Sequence, residues 1–406
     1  MAQPLPRLRL NLDFTPSPAP EHPGLFIRDP FRFSERLLII PPMLVECLQC
    51  FDGQHTDLDL RAALVRLTGD FEVGQLQQHL IDTLSEAGFL EDERFARMEQ
   101  ESRRDFREAA VRQPAHAGSA YPAESGELRE TMTEYMSGEI PLPAADGNLL
   151  GIAAPHVSPS GGWQSYRAAY RMLGPEHHDR TFVILGTSHY GAPERFGLTR
   201  KNFLTPFGEA MTDQRLVDWL AARAPGSIEM EDYCHSFEHT VEFQVVFLQQ
   251  VLGPSVRILP ILCGAFVHSL FGGGSPEQND GVRAFLEALG ELHDRESGRL
   301  FWVLGVDMAH MGIRYGDQFQ AEANSGEMVA VSARDEARIA RIKASDAAGF
   351  WELVRENRDD LKWCGSSPFY TFLKAVPRAR GELLNYEQWN IDEQSVVSFA
   401  GMAFSK

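Results

Sequence analysis

Histidine and carboxylate side chains follow the apolar runs of this sequence at three places. His156 ends the stretch GIAAPH, His189 ends FVILGTSH, and Asp307 and His310 lie at the end of WVLGVDMAH. Histidine is the commonest protein ligand for transition metals and the usual general base near neutral pH. One such histidine is most simply a residue packed at the rim of a sheet. Three in equivalent positions predict either a metal centre or an acid–base site.

A second group of candidates lies in the stretch YCHSFEHTVEFQ, at the predicted start of a helix. Glu238, His239 and Glu242 stand there together, and His235 precedes His239 by four residues. That spacing places two imidazoles on one face of a helix, and the N-terminus of a helix also favours an anion. The HExxH pattern of zinc proteases does not occur in this stretch. These residues are therefore candidates for metal ligands or for groups that transfer protons, and the pattern does not decide between the two roles.

Cys364 precedes another predicted helix start, in the stretch LKWCGSSPFYTFL. Ser366 or Ser367 is a suitable N-cap and Pro368 a suitable first helical residue, which leaves the thiol facing the positive end of the helix. We expect that field to lower the pKa of the thiol and to favour the thiolate, which both attacks carbonyl groups and binds metals. Three roles stay open for Cys364: nucleophile, metal ligand or small buried hydrophobic residue.

The remaining cysteines carry weaker signals. Cys47 and Cys50 have the CxxC spacing of zinc sites and redox pairs, but a second pair is missing and the flanking LVECLQCF reads as an apolar helix, which favours core packing. Cys263 ends the predicted strand RILPILCG and is a candidate for the same rim as the histidines, whereas Cys234 has no distinctive setting. Five cysteines scattered over 406 residues do not predict a disulfide framework.

Apolar runs and amphipathic runs alternate from residue 115 onward. The predicted strands are LLGIAAP, TFVILGT, VRILPIL and LFWVLGVD, and the predicted helices are QSYRAAYRML, EHTVEFQVVFLQQVL, GVRAFLEALGELH, DAAGFWELVREN and PFYTFLKAV. This alternation predicts an α/β domain over residues 115–406, with a mostly parallel central sheet flanked by helices. Ligands of such sheets bind beyond the carboxyl ends of the strands, where the histidines lie.

The N-terminal quarter predicts a separate, smaller unit. Residues 1–24 read as an extended segment containing PSPAPEHP, residues 25–95 as a small winged-helix-like domain, and residues 96–114 as a charged helical linker. Within the small domain, Thr56 is placed to cap one helix that Gly69 ends. A second helix is lined by leucines and ends near Gly88, in a position suited to a left-handed cap.

Composition excludes several classes of function. The 57 acidic residues outnumber the 38 basic ones, and a net charge of -19 opposes binding to nucleic acid or to an anionic membrane surface. We expect no transmembrane segment, because the sequence contains no apolar run of about 20 residues. The first residues lack the apolar core of a signal peptide, so we expect a cytoplasmic protein with reduced thiols.

From about residue 117 to residue 404 the sequence resembles the Memo-like family, the proteins called AmmeMemoRadiSam system protein B. The matching stretches are AGSAYPAESGELRETMTEYM, APHVSPSGGWQSYRAAY, VILGTSHYG, LTRKNFLTPFGEAMTD, EHTVEFQVVFLQ, RILPILCG, GVDMAHMG and CGSSPFYTFL. The resemblance implies a fold related to the LigB-type extradiol dioxygenases. It also implies that the metal ligands are His156, His189 and Cys364, with His239, Asp307 and His310 as further pocket or catalytic residues.

The resemblance implies a dioxygenase-like oxidoreductase that uses Fe(II) or copper, with zinc also compatible with the ligands. In this interpretation His239 or His310 moves protons, and the substrate is a small aromatic or peptide-linked molecule. Two alternatives stay open: a non-enzymatic module that binds metal or peptide, and an acyl-transfer enzyme with Cys364 as nucleophile. The N-terminal unit resembles PqqD-like modules, and the family name suggests radical-SAM and AMMECR-type proteins as partners.

Overall fold

The computed structural model describes residues 2–17, 19–138 and 149–406. The chain divides into two compact units, Met1–Glu108 and Ala109–Lys406. The proline-rich segment predicted at residues 16–23 includes residue 18, which lies outside the described residues. Among the described residues, no helix is both long and apolar enough to cross a membrane.

In the residues that the structure describes, the first unit combines a small antiparallel sheet with four α-helices. Its strands, in the order β1-β2-β3, are β1 (Asp13–Pro16), β2 (Leu25–Arg28) and β3 (Leu38–Ile40). Its helices are α1 (Pro42–Val45), α2 (Asp57–Thr68), α3 (Gly74–Glu86) and α4 (Glu93–Glu108). Leu5 and Leu12, from the segment expected to be merely extended, are buried in the core of this unit.

The predicted helix boundaries in the first unit have a visible physical basis. The Thr56 side chain accepts a hydrogen bond from the backbone N–H of Asp59, and Asp59 accepts one from the backbone N–H of Thr56, which is a complete capping box. Gly69 ends α2 in the left-handed conformation at φ 72°. Gly88, which follows α3, has φ 69°. Both left-handed glycines are therefore where the sequence predicts them.

Cys47 and Cys50 lie in a short 3-10 helix, Glu46–Cys50, and not in the apolar α-helix that the sequence predicts. Both side chains are buried in the core of the first unit, beside Leu60 and Leu64. Burial raises the pKa of both thiols. These features match the core role that the sequence favours over a zinc site.

The second unit is built on one large mixed sheet. Its strands are β4 (Val111–Arg112), β5 (Leu149–Ala154), β6 (Thr181–Thr187), β7 (Phe196–Leu198), β8 (Asn202–Thr205), β9 (Gly208–Thr212), β10 (Ile228–Met230), β11 (Arg257–Cys263), β12 (Leu300–Gly305), β13 (His310–Gly312), β14 (Arg380–Asp392) and β15 (Ser395–Ser405). The main order is β13-β15-β5-β12-β6-β11-β9-β8-β4, with β14 beside β15, β7 beside β11 and β10 beside β7.

Helices flank this sheet. They are α5 (Ser125–Met136), α6 (Pro159–Tyr170), α7 (Gln214–Arg223), α8 (His239–Leu252), α9 (Val267–Gly272), α10 (Asp280–Arg295), α11 (Glu327–Lys343), α12 (Ala347–Arg355) and α13 (Ser366–Ala375). The four predicted strands correspond to β5, β6, β11 and β12, and the five predicted helices to α6, α8, α10, α12 and α13. The predicted α/β fold is therefore confirmed.

The centre of the sheet is parallel, and its strands are almost entirely buried. β12 pairs in parallel with both β5 and β6, and β11 pairs in parallel with β6. Strands covered on both faces read as continuous apolar runs, which is why the sequence identifies them. Because β5, β12 and β6 are adjacent and parallel, the residues that follow them meet at one edge of the sheet.

Candidate metal centre

Three adjacent strand ends and one loop form the centre. His156 follows β5, His189 follows β6, and Asp307 follows β12, which lies between those two strands. The centroids of the His156 and His189 rings are 5.1 Å apart. Cys364 comes from the loop before α13, and its backbone carbonyl accepts a hydrogen bond of 2.9 Å from Thr187 Oγ1, close to the end of β6.

His156, His189 and Cys364 present one ligand atom each to a common space. These three atoms lie within 4.8 Å of one another. The Cys364 Sγ is 3.2 Å from the His156 Nε2. Two imidazole nitrogens and one sulfur form a donor set that suits iron, copper or zinc. The residues present therefore fit the kind of metal that the resemblance implies.

The orientation of His156 is fixed by its backbone surroundings. Its Nδ1 donates a hydrogen bond of 2.9 Å to the Gly305 carbonyl, an assignment that follows from the carbonyl's role as acceptor. Its backbone N–H donates to Asp307 Oδ1 at 2.8 Å. Burial lowers the pKa of His156 well below its ordinary value, so the ring is neutral. The Nε2 lone pair is thereby left available for a metal.

Glu238 holds two histidines at once. Its carboxylate lies 3.1 Å from the Nδ1 of His189 and 3.1 Å from the Nδ1 of His239, and its side chain is 1% exposed. The two rings are stacked with centroids 5.2 Å apart. Burial alone would raise the pKa of Glu238, but the two histidines outweigh it and hold that pKa well below its ordinary value. With Nδ1 bound to Glu238, each ring directs its Nε2 away from the carboxylate.

Asp307 anchors the backbone that carries His156. Its Oδ1 accepts hydrogen bonds from the backbone N–H groups of His156 at 2.8 Å and Val157 at 3.2 Å. Its Oδ2 lies 3.5 Å from His156 Nε2. Burial raises the pKa of Asp307, against the opposing effect of His310 and those two hydrogen bonds. Asp307 therefore holds the backbone of His156 with one oxygen and places the other beside the Nε2 of the same histidine.

His310 is a neutral imidazole next to this group. Its Nδ1 lies 3.0 Å from the Met308 carbonyl and 3.1 Å from the Lys362 carbonyl. Burial lowers its pKa to about 4, although Asp307 acts in the opposite direction. Its ring packs edge-on against Tyr315, with centroids 5.0 Å apart.

Two expectations about Cys364 are wrong. Helix α13 begins at Ser366 with Gly365 in the N-cap position, so Pro368 is its third residue and not its first. The Ser366 hydroxyl donates to the Trp363 carbonyl instead of capping the helix. The pKa of the thiol is raised well above its ordinary value, because burial dominates and Asp307 lies nearby. Burial of the thiol therefore outweighs the field of the helix.

Several other candidates from the sequence lie outside the centre. His235 donates from Nε2 to the Gly197 carbonyl at 3.0 Å, and Glu242 forms a buried ion pair with Arg112. Cys263 is fully buried in the main core, and burial raises the pKa of its thiol to about 12. The four-residue spacing of His235 and His239 does not place them on one helix face, because α8 begins only at His239.

His116 approaches the centre although the sequence reasoning did not single it out. Its ring lies edge-on to that of His239 with centroids 5.6 Å apart, and its Nε2 donates to the Phe237 carbonyl at 2.7 Å. It precedes β5 by more than thirty residues and follows no predicted strand. No pattern in the sequence around His116 therefore predicts its contact with His239 at the start of α8.

A cavity of about 200 Å³ adjoins two of the ligand residues. His189 and Cys364 form part of its wall, and Trp351, Trp363 and Leu270 supply apolar surface. A space of this size next to a metal centre is sufficient for a single-ring group.

The chain is similar to proteins from several organisms. It is 24% identical over 382 residues to a "MEMO1 family protein" of Aquifex aeolicus, covering 93% of this chain and 95% of that protein. It is 28% identical to a MEMO1 family protein of Methanopyrus kandleri and 28% identical to a MEMO1 family protein of Thermococcus kodakarensis. Those two alignments cover 73% of this chain and 99% and 100% of the archaeal proteins.

The family model described as "Memo-like protein" matches residues 112–403, which is most of the second unit. The match includes every residue placed at the centre above: His156, His189, Glu238, His239, Asp307, His310, Cys364 and His116. The chain therefore belongs to the Memo-like family.

Proposed function

We propose that this protein is a metal-dependent redox enzyme whose metal is held by His156, His189 and Cys364. The observation that supports the proposal is the convergence of their three ligand atoms within 4.8 Å. The hydrogen bonds of His156 to Gly305 and of His189 to Glu238 add to it, because they leave the Nε2 of both rings available. Fe(II) or copper is the proposed metal, and zinc is compatible with the same donors.

When bound by two imidazoles and one thiolate, Fe(II) or copper supplies electron transfer and open positions for dioxygen or substrate. The residues of the chain contribute orientation and proton transfer. His239, held by Glu238, is proposed to exchange a proton at Nε2, and His310, a ring that burial keeps neutral beside Asp307, is proposed as a second group that exchanges protons. Asp307 keeps the His156 backbone in place.

We propose a small aromatic or peptide-linked molecule as the substrate. The apolar walls that Trp351 and Trp363 give to the cavity beside His189 and Cys364 support a compact, largely apolar group. A link to radical-SAM and AMMECR-type proteins stays a proposal that depends on the family resemblance. The same holds for the cytoplasmic location.

Metal analysis of protein purified without oxygen tests the proposal. We expect close to one metal per chain in the wild type, and strong losses in Cys364→Ser and His189→Ala. His268→Ala is the control, because His268 is an exposed histidine paired with Glu194. Equal metal content in all four proteins would overturn the proposal. Oxygen uptake with phenols, indoles and peptides then separates an enzyme from a module that only binds.

One observation favours a second function, acyl transfer by Cys364. The 3.2 Å separation between its Sγ and the His156 Nε2 is that of a thiol and its general base. Against it, burial raises the pKa of the thiol and lowers that of His156, so neither group is charged. Alkylation of Cys364 that added metal does not slow would support acyl transfer. Protection by metal would support the metal centre.

A further inference from the structure

The loop that carries Cys364 has an unusual backbone. Between α12 and α13, four residues other than glycine have positive φ angles: Asn357 at 53°, Arg358 at 57°, Asp359 at 52° and Lys362 at 54°. The left-handed region is disfavoured for residues with a Cβ atom, and such conformations persist only where surrounding contacts impose them. Specific contacts must therefore hold this loop.

Asp359 supplies the first of these contacts. Its Oδ2 accepts a hydrogen bond of 2.9 Å from the backbone N–H of Trp363, the residue before Cys364. Its Oδ1 accepts one of 3.0 Å from the Arg338 guanidinium. The side chains of Arg338 and Asp359 are only 2% and 11% exposed, so the pair is little screened by solvent. Arg338 is fixed in turn by the Leu353 carbonyl, at 3.0 Å.

The side chain of Trp363 supplies the second contact. Its indole N–H donates to Asp335 Oδ1 at 2.7 Å, and the residue is 1% exposed. Asp335 Oδ2 also accepts hydrogen bonds from the Tyr386 hydroxyl at 2.8 Å and the Ser398 hydroxyl at 2.6 Å. Trp363 is thus held at its backbone by Asp359 and at its ring by Asp335.

We propose that Asp359, acting through Trp363, is a positioning residue that holds the Cys364 sulfur at the metal centre. The inference rests on the proposed metal set, in which Cys364 is the only ligand supplied by a loop of this kind. His156 and His189 are held by different contacts, at Gly305 and Glu238. Loss of the Asp359 contact is therefore expected to weaken the sulfur ligand selectively and to leave the two imidazoles in place.

Cobalt titration of the full-length protein without oxygen tests the inference, since Co(II) bound by thiolate has a charge-transfer absorption that cobalt bound by histidine alone lacks. Asp359→Asn keeps the size of the side chain, but its amide accepts from only one of the two donors. We expect this variant to bind cobalt roughly tenfold more weakly. That is the lower end of the usual loss of metal affinity when a residue that orients a metal ligand is replaced. Its charge-transfer band should be lost or strongly reduced.

Asp360→Asn is the matched control. Asp360 is the next residue and pairs with Arg334 at the surface, where its carboxylate receives two hydrogen bonds. We expect wild-type cobalt affinity and a wild-type charge-transfer band. A control that fell as far as Asp359→Asn would indicate a general effect of loop charge and would overturn the inference.

A second readout does not depend on metal. In the metal-free protein, alkylation of Cys364 by iodoacetamide, followed on its peptide by mass spectrometry, should be faster in Asp359→Asn than in wild type. The other four cysteines are buried and serve as internal references. Should Asp359→Asn fail to fold, Trp363→Phe is expected to show the same two changes, because it removes the indole N–H contact to Asp335 and part of the ring packing against Phe350 and Phe369.

The outcomes separate the inference from the proposed function. A wild-type protein without a thiolate-to-cobalt band overturns the metal set, and the alkylation rates still decide whether Asp359 positions Cys364. A wild-type band that is unchanged in Asp359→Asn, together with an unchanged alkylation rate, overturns the positioning role of Asp359 and leaves the metal set intact.

Discussion

At the scale of single residues, Glu238 shows most clearly what the sequence does not reveal. Its position next to His239 marks it as a candidate, but its contact with His189 joins residues that are 49 positions apart in the chain. His189 could be predicted because it follows an apolar run, and His239 because it stands at a predicted helix start. The hydrogen bonds that orient them could not, because they depend on which strand ends and helix starts are neighbours in space.

Replacement of Glu238 by glutamine tests its role in orienting both rings. One oxygen of the carboxylate, Oε1, lies 3.1 Å from the Nδ1 atoms of His189 and His239 and accepts from the backbone N–H of His239, while Oε2 accepts from the backbone N–H of His189. The amide nitrogen of glutamine cannot accept a hydrogen bond, so at least one of these backbone N–H groups loses its acceptor and the rings are held less firmly. We expect roughly a 10- to 100-fold loss of metal affinity, the usual range for partners behind a metal-bound histidine. Competition of the protein with a chelator of known affinity measures it.

Glu194→Gln is the matched control for this change. Glu194 also pairs with a histidine Nδ1, that of His268 at 2.7 Å, but His268 is 83% exposed and lies outside the centre. The metal affinity of the Glu194→Gln variant should equal that of the wild type. If Glu238→Gln and Glu194→Gln both bound metal as tightly as the wild type, the orienting role of Glu238 would be refuted.

His235 gives the chain a pH-dependent stability that is separate from the metal. Burial lowers its pKa from 6.5 to about 4 in the folded protein. Between these values the unfolded chain binds a proton that the folded chain does not, so the free energy of unfolding decreases as the pH falls from 6.5 towards 4. At about 1.4 kcal/mol for each pKa unit, His235 accounts for roughly 3 kcal/mol of this loss.

Urea denaturation of the metal-free protein at several pH values between 4 and 6.5 measures that loss. In His235→Gln the free energy of unfolding should depend less steeply on pH than in the wild type, whatever its absolute value. His22→Gln, which changes an exposed histidine, should keep the wild-type slope. An equal slope in His235→Gln would show that the buried ring does not contribute.

At the scale of helices and strands, the apolar runs could be predicted and their neighbours could not. β5, β6, β11 and β12 are covered on both faces and stand out as continuous apolar stretches. The long antiparallel pair β14 and β15 was missed, although β15 is almost entirely buried and pairs with β5. The segment SVVSFAGMAF mixes small, polar and apolar residues, so neither a period of two nor an unbroken apolar run marks it.

Gly365 is the point at which α13 meets the end of β12. Its backbone N–H donates to the Asp307 carbonyl at 3.0 Å. A Cβ atom there would lie 2.6 Å from the same carbonyl oxygen and 2.8 Å from Val306 Cβ. Gly365→Ala must therefore push α13 and Cys364 away from the strand. We expect a loss of roughly 1–3 kcal/mol in the free energy of unfolding, together with weaker metal binding.

Denaturant titration and metal competition measure both effects on the same protein. Gly226→Ala is the control, because no atom outside the two adjacent residues lies within 4 Å of the Cβ position there. The control should retain the stability and metal affinity of the wild type. A Gly365→Ala protein as stable and as tightly metal-bound as the control would show that the loop adapts without cost.

At the scale of the whole molecule, the two units have separate cores and unequal roles. Every residue of the proposed metal set lies after residue 108, and the family model begins at residue 112. The Methanopyrus and Thermococcus proteins are aligned over 99% and 100% of their length with 73% of this chain, so they have no room for a unit of 108 residues. The second unit is thus expected to fold and bind metal without the first.

Two truncated chains test this independence. A chain of residues 109–406 should unfold cooperatively and keep the metal affinity of the full-length protein.

A chain of residues 122–406 lacks Arg112. The Arg112 guanidinium pairs with Glu242 and donates to the carbonyl oxygens of His235 at 2.8 Å and Glu238 at 2.9 Å. Without Arg112 the Glu242 carboxylate loses its cation and the carbonyl groups of His235 and Glu238 lose their donor, so we expect the start of α8, where Glu238 and His239 stand, to be held less firmly. Loss of metal binding in both chains, measured by the same chelator competition, would show that the first unit is part of the centre; loss in the shorter chain alone would place the limit of the functional unit between residues 109 and 122.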